Sequence, residues 1–167
     1  EQPQQASHPP GTQASALEHL LGGAKTVPAE RGLFLQQTRR LHPSICAFTA
    51  EVFYENRLSS YPGLERQAVL APVGTPAAQL GTHGLVYVPV QHDGNQARAD
   101  EEVQAIALLV AALTDGATQW QGAAGPSAPL TRADLMVVAP YNAQVTALAE
   151  RLPGVRVGTV DKFQGQQ

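Results

Sequence analysis

One cysteine stands in the whole chain, Cys46. A disulfide framework and a cysteine-based zinc site are therefore both excluded. Cys46 lies in an apolar helical pattern and is expected to be a small buried core residue. Long hydrophobic runs are missing too: the longest, Ala105 to Leu113, falls far short of the about 20 residues a membrane span requires. No signal-peptide pattern is present, so a reducing, soluble, cytoplasmic setting is the expectation. Basic excess is absent, with a formal net charge of -3. That balance excludes a strongly basic nucleic-acid clamp but leaves binding through backbone amides and a few arginines open. No internal repeat is visible, and His83 and His92 lack metal-ligand spacing. A phosphate-binding loop is missing as well. "GGAKT" at 22–26 imitates one, but the motif needs glycine directly before the lysine and another five positions upstream. Ala24 and His19 hold those places, so the glycines read as a helix stop. "DEE" at 100–102 opens a helix rather than ending a strand, so it is not a magnesium-binding acidic pair.

What is present is a chain of 167 residues, long enough for one domain with a buried core. The opening "EQPQQASHPPGT" reads as an irregular connector. Ser15 and Glu18 have capping-box spacing before Leu17, Leu20 and Leu21. Leu33–Leu35 suits a short buried strand. Pro43 can open a helix in which Ile45, Cys46, Phe48, Thr49, Val52 and Phe53 recur at helical spacing. Residues 61–81 read as loop. "GLVYVPV" at 84–90 predicts a strand near an edge. Residues 99–114 predict a helix with acids in its first turn and a stripe of Val103, Ile106, Ala107, Val110 and Leu113. After another loop, 115–133, "DLMVVA" at 134–139 reads as a strand buried on both faces. A helix with Val145, Leu148 and Leu152 on one side follows, then a last strand, "VRVGTV". Strand and helix alternate, which predicts an α/β fold with a mostly parallel sheet. Ligands in such sheets sit beyond the carboxyl ends of the strands. Attention therefore falls on "QQTRRLHP", "QHDGN", "PYNAQ" and "DKFQGQQ". The chain starts at Glu1 rather than Met and closes where a strand hands over to a loop. Both ends are expected to be cuts.

Three stretches, "TRRLHPSICAFTAEVFYENRL", "VVAPYNAQVTALAERL" and "VGTVDKFQGQQ", resemble in order and spacing the motifs of superfamily 1 DNA/RNA helicases. The match is to the second RecA-like domain, in the branch that includes the RNA-surveillance helicases. "SALEHL" is similar to a helix of the first motor domain. The wording of "HDGNQ" and the closing motif looks like bacterial helicases fused to a RecB-like nuclease domain. The resemblance implies a RecA-like α/β fold with helices on both faces of the sheet, incomplete at its C-terminus. Residues 1–30 would be a connector and helix from the preceding motor domain, and 31–167 the second RecA-like domain.

By the same resemblance, Arg40 is the arginine that reaches the γ-phosphate of ATP, where a permanent positive charge is needed. On its residue type alone it reads as a solvated surface arginine. Arg39 replaces the family's usual base-stacking aromatic, and its guanidinium plane could stack instead. Gly165 would let the backbone approach the nucleotide. Gln164 and Gln166 resemble residues that sense nucleotide state, and Gln167 stands where the family has a ribose-associated glutamate. Thr159 would hold a nucleic-acid phosphate, or serve only as a β-branched strand residue. Tyr141, Asn142 and Gln144 begin a helix in a loop that would face the strand-binding groove. Tyr141 could equally be a packed aromatic and Asn142 part of a helix cap. Asp161 and Lys162 could form a loop ion pair. Trp120 reads as a loop anchor or a base-stacking residue, and His42 as a helix-start residue. The implied ligands are ATP with Mg²⁺, both held mainly by the first RecA-like domain, and single-stranded DNA or RNA. No metal site is assigned to this chain. The expectation is an ATP-dependent motor in the full-length protein, travelling 5′-to-3′, with this segment inactive alone. The alternative is a non-catalytic α/β module for nucleic-acid binding or interaction.

Overall fold

The computed structural model describes residues 15–164. They divide into two compact units, the break falling between Glu65 and Arg66.

The first unit opens on α1, Ala16–Leu21. The Ser15 hydroxyl accepts from the Glu18 N–H, and the Glu18 carboxylate accepts from the Ser15 N–H, closing both halves of the predicted capping box. Gly22, at φ 58°, ends the helix in the left-handed region, the conformation that glycine adopts without a Cβ penalty. Next come β1, Gln37–Thr38, then α2, Pro43–Phe53, then β2, Ser59–Ser60. Pro43 occupies the first helical turn of α2, where its missing N–H costs nothing. His42 caps it: Nδ1 accepts from the Ser44 N–H at 3.2 Å. Cys46 is buried, as the sequence predicts, and Ala50 joins it. Phe48, Val52 and Phe53 are exposed, so the buried stripe of α2 is narrower than its apolar spacing predicts. β1 and β2 pair in parallel, Gln37 opposite Ser59 and Thr38 opposite Ser60.

The second unit holds β3, Ala68–Leu70; α3, Asp100–Leu113; β4, Gln119–Gln121; and β5, Ala128–Pro129. These are followed by β6, Met136–Val138; α4, Asn142–Arg151; β7, Arg156–Gly158; and the short α5, Val160–Phe163. β6 and β7 run parallel around the α4 crossover, the βαβ arrangement of an α/β fold. β3, β4 and β5 form an antiparallel three-stranded sheet. Its strands come from stretches the sequence reads as loop. The core gathers Val103 and Val110 of α3, Ala147, Leu148 and Leu152 at α4, Ala139, and Val157 of β7. These are largely the stripes that helical spacing predicts, and they fix the start of α4 and the end of β7. Thr131 and Asp134 close a second capping box on a 3₁₀ turn ahead of β6. The Thr131 hydroxyl and then its backbone N–H hold the Asp134 carboxyl below its usual range.

Five expectations are corrected. Leu33–Leu35 forms no strand, and Leu33 is 86% exposed. Residues 84–90 likewise form none, with Leu85, Val86, Tyr87 and Val88 all exposed. Neither stretch finds a neighbour to bond its backbone among the described residues, and β-branched composition alone cannot supply one. β6 is not buried on both faces: Met136 and Val138, which share one face, are 43% and 47% exposed, while Val137 on the other face packs against the core. The last strand stops at Gly158, and a helical turn starts at Val160 where strand and then loop were expected. Trp120 lies in β4 rather than in a loop and is half-exposed.

Candidate nucleotide and nucleic-acid sites

In the first unit, β1 ends at Thr38 and the chain turns at once. The Arg40 N–H donates to Thr38 Oγ1 at 3.2 Å, so the strand's own last side chain shapes the loop. Arg39 and Arg40 follow on that loop, past the carboxyl end of β1, and both are exposed. They line a groove of about 690 Å³ whose walls include Phe34, Gln37, Thr49 and Tyr54. Two neighbouring guanidinium groups beside apolar and amide walls suit a ligand that carries both negative charge and a flat ring.

Arg39 has a partner that sequence reasoning missed. Its Cζ lies 4.2 Å from the centroid of the Tyr61 ring, a cation–π contact worth about 0.5–1 kcal/mol at an exposed site. The signal lay in the strand register. Parallel pairing that sets Thr38 opposite Ser60 brings the next residues, Arg39 and Tyr61, side by side.

In the second unit, Tyr141 is the N-cap of α4 and Asn142 its first residue, both exposed at the carboxyl end of β6. Gln144 is placed differently. It is only 5% exposed, and its Oε1 accepts from the Ala99 N–H at 2.9 Å. Its Nε2 donates to the Ala99 carbonyl and to Glu102 Oε2, both at 3.2 Å. Both amide hydrogens are thereby engaged within the protein, and the side chain is not presented to a strand in solvent. It ties the start of α4 to the start of α3, where Ala99 caps the helix without a side chain able to do so. Gln144→Leu is expected to strand the buried Ala99 N–H and lower stability by about 1–3 kcal/mol. Chemical denaturation measures this.

Tyr141 and Gln144 share a pocket of about 160 Å³ with His92, Asn95, Arg98 and Glu102. The "HDGN" loop and the "PYNAQ" loop thus meet at one place. The backbone N–H at the start of α3, and next the Asn95 amide, hold the Glu101 carboxyl below its usual range. Arg98 pairs with Asp100 at 2.7 Å on the surface.

Thr159 is half-buried, between β7 and α5, and its side chain makes no capping bond to that turn. Lys162 lies in the turn rather than in a loop, and its Nζ donates to the Val157 carbonyl at 2.8 Å. Gln164 ends α5 and is exposed. Gly165, Gln166 and Gln167 lie outside the described residues. Among the described residues, no three His, Cys, Asp or Glu side chains group closely enough to hold a metal ion, and no helix is long and apolar enough to cross a membrane.

Comparison with known proteins gives this geometry its context. A family described as AAA domain matches residues 12–167. The human 3'-5' exoribonuclease HELZ2 is 28% identical over 141 residues, which is 77% of this chain and 4% of that protein. The DNA-binding protein SMUBP-2 of Rattus norvegicus is 27% identical over 141 residues, 77% of this chain and 13% of its own length. The chain thus spans a small part of the relatives it matches. The family match extends over both units, and with it the chain belongs to the AAA domain family, as a helicase-type domain of RecA-like α/β fold.

Proposed function

We propose that this chain is the second motor domain of a superfamily 1 helicase, driven by ATP along single-stranded DNA or RNA. The observation that carries the reading is the exposed Arg39–Arg40 pair on the loop beyond β1, lining an open groove. In this reading a first RecA-like domain of the same protein holds ATP and Mg²⁺. The described residues offer no cage for the metal, and no step assigned to them runs through it. Arg40 reaches the γ-phosphate as negative charge spreads over the transferring group, and Arg39 lies against the base. Gln164 and Gln166 follow the nucleotide state, Gly165 lets the backbone approach the nucleotide, and Gln167 stands near the ribose. Tyr141, Asn142 and Thr159 grip the strand, with Gln144 holding their loop in place. Closure around ATP and reopening after hydrolysis then alternate the grip, giving 5′-to-3′ travel. A RecB-like nuclease domain in the same protein and a cytoplasmic setting complete the proposal. The names of the relatives, one a DNA-binding protein and one an exoribonuclease, support a nucleic-acid substrate.

The test uses the full-length protein. Single-stranded oligonucleotides should stimulate its ATP hydrolysis, while this chain alone should show none. Tyr141→Ala should weaken strand binding, read by fluorescence anisotropy, by about tenfold, the scale of losing one base-stacking ring. A full-length ATPase indifferent to single strands would defeat the motor reading, and unchanged strand affinity in Tyr141→Ala would remove that loop from the groove.

A further inference from the structure

We infer that Tyr61 is a positioning residue for nucleotide binding: its ring holds the Arg39 guanidinium flat so that the opposite face can receive a purine base. The inference rests on the reading of Arg39 as the base contact and names a residue that this reading does not contain. Three observations carry it. The Arg39 guanidinium lies 4.2 Å from the Tyr61 ring centroid. The ring is placed by backbone, since the Tyr61 N–H donates to the Thr38 carbonyl at 2.9 Å, extending the β1–β2 pairing past Ser60. The preceding residue adds a second tie, with Ser60 Oγ donating to the Leu41 carbonyl at 2.8 Å. Tyr61 is thereby fixed to both sides of the loop that bears Arg39 and Arg40.

The chemistry follows from what an arginine lacks. A free guanidinium on a flexible stem loses much rotamer freedom when it stacks, whereas an aromatic side chain has only two torsions to fix. A ring beneath the guanidinium meets part of that cost before any ligand arrives. It turns Arg39 into a rigid plane with one face covered and the other open. Such a plane reads the face of a base and not its edge. Purines, which have the larger face, are favoured over pyrimidines, and adenine and guanine are accepted alike.

The experiment is steady-state hydrolysis and equilibrium nucleotide binding in the full-length protein, with ATP, GTP and CTP. Tyr61→Leu is expected to raise KM for ATP about two- to fivefold, the scale of one cation–π contact at an exposed site, with kcat unchanged. Tyr61→Phe, which keeps the ring, should match the parent. A merely structural role would instead lower kcat and the melting temperature together, and would overturn the inference. If Tyr61→Leu fails to fold, Tyr61→Gln keeps a stem without a ring and must show the same split. Arg39→Ala separates the two levels. Raised KM there, with no change in Tyr61→Leu, removes Tyr61 alone. Unchanged KM in Arg39→Ala removes the base contact itself, and the inference with it. Discrimination between ATP and GTP as strong as that against CTP would overturn the face-reading.

Discussion

Arg40→Ala in the full-length protein should lower kcat for ATP hydrolysis by about 10³-fold or more and leave nucleotide affinity nearly intact. The split follows from when the charge is needed. In the ground state, triphosphate charge is shared among several groups, and one exposed guanidinium contributes little. As the γ-phosphoryl transfers, charge moves onto its equatorial oxygens, and a cation placed there acts almost wholly on the transition state. In the proposed reading the loop makes that delivery: Thr38 Oγ1 accepts from the Arg40 N–H just beyond β1, and Arg40 is exposed and lines the groove. Arg40→Lys keeps the charge but not the planar fork, and should recover only a small part of the rate. Steady-state hydrolysis paired with binding of a non-hydrolysable analogue reads both quantities. Near-normal turnover in Arg40→Ala would remove the residue from the reaction.

The second large effect concerns stability. Leu148 is 1% exposed at the centre of the cluster formed by Val103, Val110, Leu152 and Val157. Truncation to alanine deletes packed atoms from a site that α3, α4 and β7 border together. Such a site collapses poorly, so about 3–5 kcal/mol of unfolding free energy should be lost. Denaturant titration of the parent protein measures it through a lower midpoint with unchanged slope. A loss below about 1 kcal/mol would mean that the cluster relaxes around the gap and does not set the position of α4. Because α4 begins at Tyr141 and Asn142, the proposed strand contact should weaken along with stability.

The helices were legible because their signals are local. Ser15 with Glu18, Pro43 after His42, and the acids at 100–102 each act within one turn, and each marks a helix start in the structure. The strands were less so. Leu85–Val88 has strand composition, but a ladder needs a second backbone, and composition says nothing of where that backbone is. Gln119–Gln121 and Ala128–Pro129 show the reverse: glutamine and proline read as loop, yet antiparallel pairing of the first to Ala68–Leu70 and of the second to Gln119 and Trp120 makes them a sheet. In the candidate sites, Arg40 and Tyr141 stand out by resemblance to a family motif, and on residue type alone Arg40 reads as a surface arginine. The Arg39–Tyr61 stack could not be found, because it depends on the register of β1 against β2. Gln144 reads as a strand contact, and its burial against Ala99 was not legible because it depends on a helix distant in sequence.

The end of β7 carries one more implication. A Cβ at Gly158 would lie 2.5 Å from Lys162 Cδ and 3.0 Å from Phe163 Cε2, so the strand's last residue and the following turn occupy a single shared volume. Substitutions at 158 and 162 are therefore not independent. A larger residue at the first position calls for a shorter or displaced one at the second, and the two should be varied as a pair.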